Sequence, residues 1–470
     1  MLKPNDRSAA RHVATLRGVG KMAVDATIGV TELVQALHLR VAHTATRPAG
    51  APATAAIDGV TRLVYGGVRG VARAVGGGLD ALLRPLQTLL VNGAADASAA
   101  AQPNAADAPA TMNTRTRAAL LAALNGVLGD YLARTANPLA IRMALRRDGQ
   151  ALDLDPVALA RSVPQPSGRL LLLVHGLCMN DLQWQRAGAD GIPHDHGAAL
   201  ARDLGFSPVY LHYNSGLHVS TNGRALSGQL AALVAAWPVP VESLVVIGHS
   251  MGGLVARSAV HYGTEQGADW VRRLSALVFL GTPHHGAPLE RGGHWIDVLL
   301  QSQPYTEPFA RLGMLRSAGI TDLRHGNVRD EDWSGHDRFA RGKAVNHDPR
   351  LPLPLPADVA CYAVAGTTAT TLPAGRTDAR TAPEVAARIK LPGDGLVPVA
   401  SALGRHAVAE LMLRLPAGHW WIAPGTGHLD LLSSSAVYAR LRDWLAPRAA
   451  AAPAAAGGGL QLSAPIEQAD

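Results

Sequence analysis

Apolar and polar positions change rhythm several times along the chain. "RLLLLVHG", residues 169–176, is an unbroken apolar run that ends on a histidine and a glycine. Runs of this kind read as strands buried on both faces, because both side-chain directions must be apolar. Comparable runs fall at residues 208–213, 243–247, 274–283 and 359–368. Between them, helical periodicity predicts helices over 196–204, over 220–236 and from Met251 onward. Strands alternating with helices predict an α/β fold with a mostly parallel, doubly wound sheet. Upstream, residues 114–134 read as a helix with Leu120, Leu121, Leu124, Leu128 and Leu132 on one face. "IRMALRRDGQALDLD" then reads as a β-hairpin around Asp148-Gly149, a favoured two-residue turn.

The pattern differs at both ends. In residues 1–92, Val64, Val68, Val71, Val75, Leu79, Leu82 and Leu86 form one helical stripe, and Val30, Leu33, Val34, Leu37 and Val41 form a shorter one. Charges interrupt both stripes before the ~18 apolar residues that a membrane span needs. Residues 93–112, "GAADASAAAQPNAADAPATM", read as a low-complexity linker, and residues 447–470 as a disordered tail. Residues 113–446 then read as one domain. The long interval at about 284–358 is read as an inserted cap, because Trp295, Ile296, Leu299, Leu300, Tyr305, Phe309, Leu312 and Leu315 are too apolar for a bare loop.

Charge sharpens this division. The chain carries a formal +7, and residues 1–90 hold eleven Lys and Arg against five Asp and Glu. Nearly all the excess therefore sits on the amphipathic appendage, which is expected either to lie on an anionic lipid surface or to pack against the chain's own domain or another subunit. No nucleic-acid-binding motif accompanies the charge, so nucleic acid is not an expected partner. Two cysteines, Cys178 and Cys361, make no disulfide framework, and the polar start "MLKPNDRSAARH" leads into no compact apolar segment. Both features point to a reducing, cytoplasmic setting, with peripheral membrane contact through residues 1–92 as an option.

One stretch carries chemistry. In "VVIGHSMGG", Gly248-His249-Ser250-Met251-Gly252 fits G-x-S-x-G between a buried strand and a helix. A serine in that turn stands above the sheet at a helix N-terminus, where free N–H groups favour developing negative charge. Upstream, the strand ending at His175-Gly176 lets the chain turn so that the N–H of Leu177, with that of Met251, can form a two-donor oxyanion hole. An acid and a base are expected after the serine, in that order. "LPGDGLVPVAS" supplies Asp394 and "APGTGHLDLLSS" supplies His428, which precedes a helical stretch at 429–445. His175 is read as a hydrogen-bonded residue tied to the loop's shape. With Gly176, His249, His284 and His285 it is expected around the substrate-binding mouth. His284 and His285 precede the acid, and adjacent residues point apart, so they are read neither as the base nor as a zinc pair.

Together "VHG", "GHSMGG", "GTPHHG", "DGLVP" and "GHLDLL" resemble the α/β-hydrolase superfamily, specifically its bacterial lipase and esterase branch and the related GPI inositol-deacylase-like hydrolases. The resemblance covers residues 169–446. It implies a serine ester hydrolase acting through Ser250, Asp394 and His428 on an apolar or lipid-like ester, without a cofactor. Acyl transfer, polyester hydrolysis and a catalytically inactive lipid-surface protein are the alternatives. In some lipases of this branch an aspartate two residues after the histidine helps bind calcium. Asp430 holds that position here, but no second carboxylate partner is evident, so no metal is expected.

Overall fold

A computed structural model describes residues 114–188, 190–287, 317–335, 348, 350–372 and 391–446. The appendage, the linker, the tail and the apolar residues read between 288 and 316 lie outside the described residues.

The chain enters through α1 (Thr114–Arg134) and a hairpin of β1 (Ala144–Arg147) and β2 (Gln150–Ala151). Asp148 and Gly149 turn it with φ of 51° and 72°, the positive values that a tight two-residue turn demands. A short helix α2 (Pro156–Ser162) follows, capped by the Asp155 carboxylate, and then β3 (Arg169–Val174). The minor strands β4 (Arg186–Ala187) and β5 (Pro193–His194) pair only with each other. After them come α3 (His196–Leu204), β6 (Ser207–His212), α4 (Val219–Ala236), β7 (Ser243–His249), α5 (Met251–Glu265) and β8 (Leu274–Leu280). The described chain continues through α6 (Ala318–His325), β9 (Ala360–Gly366), α7 (Val399–Ala402), β10 (Trp420–Ala423) and α8 (Ser435–Leu445).

The main sheet has the order β10-β9-β8-β7-β3-β6-β1-β2. All pairs from β10 to β6 are parallel, and β1 joins β6 antiparallel. Strand periodicity explains the two cores. Leu170, Leu172 and Val174 of β3 face a cluster containing Leu226 and Leu230 of α4 and Leu254 and Val255 of α5. Leu171 and Leu173 face the opposite cluster, with Leu200 of α3 and Val437 and Leu441 of α8. A strand between two apolar layers can spare no polar position, which is why "RLLLLV" has none inside it.

The expected mostly parallel α/β architecture is present. One local expectation needs correction. Residues 429–445 are not one helix: a 3-10 turn at Asp430–Leu432 precedes α8, and the Ser434 hydroxyl caps α8 by accepting from the Val437 N–H. Adjacent serines compete for backbone hydrogen bonds and so favour a helix start over a helix interior. A further strand, β10, lies within "GHWWIAP" and pairs with β9 from Trp420 opposite Ala363. Among the described residues, no helix is long and apolar enough to cross a membrane.

Candidate active site

The site forms where the parallel strands end. β7 runs into α5 through Ser250, whose backbone adopts φ 54° and ψ −125°. This conformation is costly for a residue with a Cβ, and the surroundings hold it. The Ser250 N–H donates to the Leu280 carbonyl at 2.8 Å. Gly252 lies so close to β3 that a Cβ there would stand 2.1 Å from the Val174 carbonyl oxygen. The turn can be this tight only because position 252 has no side chain. Met251 opens α5, so its N–H is among those that a helix leaves without an intrahelical acceptor.

The loop after β3 meets the serine from the other side. A Cβ placed on Gly176 would stand 3.0 Å from the Ser250 Cβ. The His175 Nδ1–H donates to the Gly176 carbonyl at 2.8 Å. That carbonyl and the Leu177 N–H belong to one trans peptide and point in opposite directions, so the bond also fixes the direction of the N–H. His175 is fully buried, stacks on Tyr213 with ring centroids 4.4 Å apart, and accepts from the Tyr213 hydroxyl at its carbonyl. Burial pushes its pKa down to about 3, so the ring is neutral.

Asp394 and His428 are brought together. His428 Nδ1–H donates to Asp394 Oδ2 at 2.7 Å, and the His428 N–H donates to the Asp394 carbonyl at 2.9 Å. Asp394 Oδ1 accepts from the N–H groups of Leu396 and Val397 at 3.0 and 2.7 Å. With Nδ1 committed to the carboxylate, His428 keeps Nε2 as the nitrogen that can accept a proton. Both His428 Nε2 and Ser250 Oγ are buried and have no hydrogen-bond partner among the described residues. Gly281, the first residue of "GTPHHG", follows β8 with φ 57° and leaves room for this pair. A Cβ there would stand 3.0 Å from Asp394 Oδ2 and 3.2 Å from His428 Nδ1.

The remaining histidines have separate attachments. His249 Nε2–H donates to the His428 carbonyl at 3.0 Å, and burial holds the ring neutral. His284 is buried beside Phe279, with Nδ1 3.4 Å from Arg257 Nη1. The His285 N–H donates to Ser401 Oγ, and its ring lies against Arg350. Burial pushes the pKa of His284 well below the usual value and that of His285 down to about 4, with the nearby guanidiniums adding to both shifts. Asp430 Oδ2 accepts from the Gly427 N–H at 3.1 Å and closes the turn around His428. Among the described residues, no group of three or more His, Cys, Asp or Glu is arranged to hold a metal ion.

One family model matches part of this architecture. The family model PGAP1-like alpha/beta domain matches residues 165–346, from before β3 through the elbow and α6. The match covers less than half of the chain, and the mostly parallel sheet with helices on both faces is that of the α/β-hydrolase fold. A lipase from Bacillus licheniformis, BlEst2 in mature form, is 15% identical over 65% of this chain and 98% of its own, with TM-score 0.37. A lipase-esterase related protein from Clostridium acetobutylicum is 11% identical over 59% of this chain and 95% of its own, with TM-score 0.30. The Vlm2 thioesterase domain is 14% identical over 60% of this chain and 96% of its own, with TM-score 0.29. No curated protein matches the chain.

Proposed function

We propose that this α/β-hydrolase is a serine carboxylic-ester hydrolase that works through an acyl-enzyme. The observation that carries the reading is the buried Asp394–His428 pair at 2.7 Å, in the same domain as a serine on a strained strand-to-helix turn. His428 Nε2 takes the Ser250 proton as Oγ attacks the ester carbonyl, and Asp394 holds the imidazole in the required tautomer and stabilises its charged form. The N–H groups of Leu177 and Met251 receive the oxyanion, where one such donor is worth ~3 kcal/mol. His428 then returns the proton to the leaving alcohol, and water releases the acid. The apolar residues between 284 and 358 favour an apolar acyl group.

The test is labelling of the full chain with a fluorophosphonate, beside turnover of p-nitrophenyl esters of increasing acyl length. Labelling of wild type but not of Ser250→Ala, with ester turnover that disappears in the same variant, is the expected result. Wild-type protein that neither labels nor turns over any ester would sink the reading and leave the fold alone.

A further inference from the structure

We infer that α1 is part of the oxyanion apparatus: Gly126 seats Cys178 and thereby positions the Leu177 N–H. The inference rests on the serine-hydrolase reading. It concerns a helix that ends well before the residues matched by the family model.

Four non-glycine residues among those described have positive φ: Ala136, Asp148, Cys178 and Ser250. Asp148 is explained by its hairpin. Ser250 and Cys178 flank the space where the reacting carbonyl would sit. Cys178, at φ 59°, directly follows the proposed oxyanion donor. Left to itself it would relax toward negative φ, and the Leu177–Cys178 peptide would turn with it and pull on Leu177, whose N–H lies in the preceding Gly176–Leu177 peptide. Such a conformation persists only where neighbours impose it.

The neighbours are specific. The Cys178 N–H donates to Ser215 Oγ at 3.1 Å, and its thiol lies 3.8 Å from the Ala123 carbonyl of α1. A Cβ on Gly126 would stand 2.3 Å from Cys178 Sγ and 3.0 Å from both Cys178 Cα and N. Only glycine at 126 leaves room for this loop. Burial pushes the thiol up to about 12, so it packs as a neutral group and is no nucleophile.

The helix itself is anchored on several sides. Ser317 Oγ donates to the Gly126 carbonyl at 2.7 Å, and Asn214 Nδ2 donates to the Gly129 carbonyl at 2.9 Å. Asn125 donates to the Leu139 carbonyl and accepts from the Ile141 N–H. The segments after β3 and β6 and the start of α6 therefore share one notch in α1. A shift of the helix is passed directly to the residue after Leu177.

The experiment compares full-length variants for kcat and KM on p-nitrophenyl butyrate and for inhibition by phenylboronic acid, whose tetrahedral serine adduct mimics the oxyanion intermediate. Gly126→Ala should lower kcat by ~10–100-fold and weaken the boronate by a similar factor while KM moves by less than ~3-fold, short of the ~10²–10³ for complete loss of a donor. Adding Cys178→Gly removes the thiol and makes positive φ easy, so the double variant should recover most of both losses. Leu132→Ala, in the same helix but packed with Leu124 and Leu139, should lower the melting temperature and leave boronate affinity unchanged. A folded Gly126→Ala with wild-type boronate affinity overturns the inference, as does an equal loss in Leu132→Ala. Should Gly126→Ala fail to fold, Ser215→Ala decides. It removes the acceptor of the Cys178 N–H without adding volume, so weaker boronate binding is expected and unchanged binding overturns the inference. A wild type that the fluorophosphonate does not label sinks the serine reading and this inference with it. Labelling with unaltered variants sinks the inference alone.

Discussion

His249 and His428, 179 residues apart, are joined by one hydrogen bond: the Nε2–H of His249 donates to the backbone carbonyl of His428 at 3.0 Å. The residue before the serine thus holds the main chain of the residue proposed as its base. Their rings also touch, with centroids 4.7 Å apart. The elbow and the histidine loop cannot drift independently while this bond stands.

His249→Phe keeps the ring's bulk and removes the donor. A buried carbonyl left unsatisfied costs ~1–3 kcal/mol, so the melting temperature should fall. The proposed base also loses a tether, so kcat should drop by ~10-fold or more, as positioning errors of about 1 Å can cost ~10²-fold. Steady-state kinetics and a thermal melt check both. Wild-type kcat in a folded variant would remove His249 from the positioning of His428.

Ser250→Ala and Ser250→Gly should both abolish ester turnover, but they should melt differently. Alanine keeps a Cβ at φ 54°, whereas glycine accepts that backbone freely. Such strain is worth ~1–3 kcal/mol, so the glycine variant should melt higher than the alanine variant. Equal melting temperatures would mean that the turn stores no strain through this side chain.

Asp394→Asn should reduce kcat by ~10⁴-fold, because an amide cannot hold His428 in the proton-accepting tautomer. Asp430→Asn should be mild, since an amide oxygen still accepts from the Gly427 N–H. Side-by-side kinetics decide, and the reverse ranking would show that the acid has been misassigned.

The strands and the two cores were legible because a strand buried on both faces has no room for polar residues, as "RLLLLV" shows. The elbow was legible because its glycines mark a turn that no Cβ fits. Asp394 and His428 were legible as residues in order along the chain, and folding supplies the 2.7 Å between them. The tie from His249 was hidden because its acceptor is a backbone carbonyl, which every residue has. The leucine stripe of α1 also drew attention away from its deeper face. Leu132 and Leu124 are buried as expected, but Ala119, Ala122 and Ala123 are buried just as fully, and the close packing falls at Gly126 and Gly129. Small residues give no hydropathy signal in proportion to how near they let another segment come.

Acid should destabilise the protein in a defined window. Burial pushes the pKa of His175 and of His196 down to about 3, against an ordinary 6.5. The unfolded chain therefore takes up these protons first, and stability rises with pH between about 3 and 6.5 through both groups. Lowering the pH through that window should progressively lower the melting temperature. His196 Nε2–H donates to the Leu431 carbonyl, beside the His428 turn, and Gln can still donate there without titrating. His196→Gln should therefore flatten the acid limb of melting temperature against pH. A variant curve parallel to wild type would show that His196 contributes nothing to it.

Two truncations test the proposed division between the appendage and the catalytic domain. Removing residues 1–112 deletes the apolar stripes, the excess positive charge and the linker and keeps every residue of α1. Activity on a short, water-soluble ester should survive. If the appendage binds lipid surfaces, sedimentation with anionic vesicles should weaken. The part of that loss carried by charge should fade with salt, because the Debye length shrinks from about 10 Å at 0.1 M to about 3 Å at 1 M. Removing residues 1–134 deletes α1 as well. It exposes the Cys178 and Asn214 contacts and strips Leu124 and Leu132 from their cluster. That chain should be inactive or insoluble. Retained turnover in the longer truncation would place α1 outside the catalytic domain, and lost turnover in the shorter one would place the appendage within it.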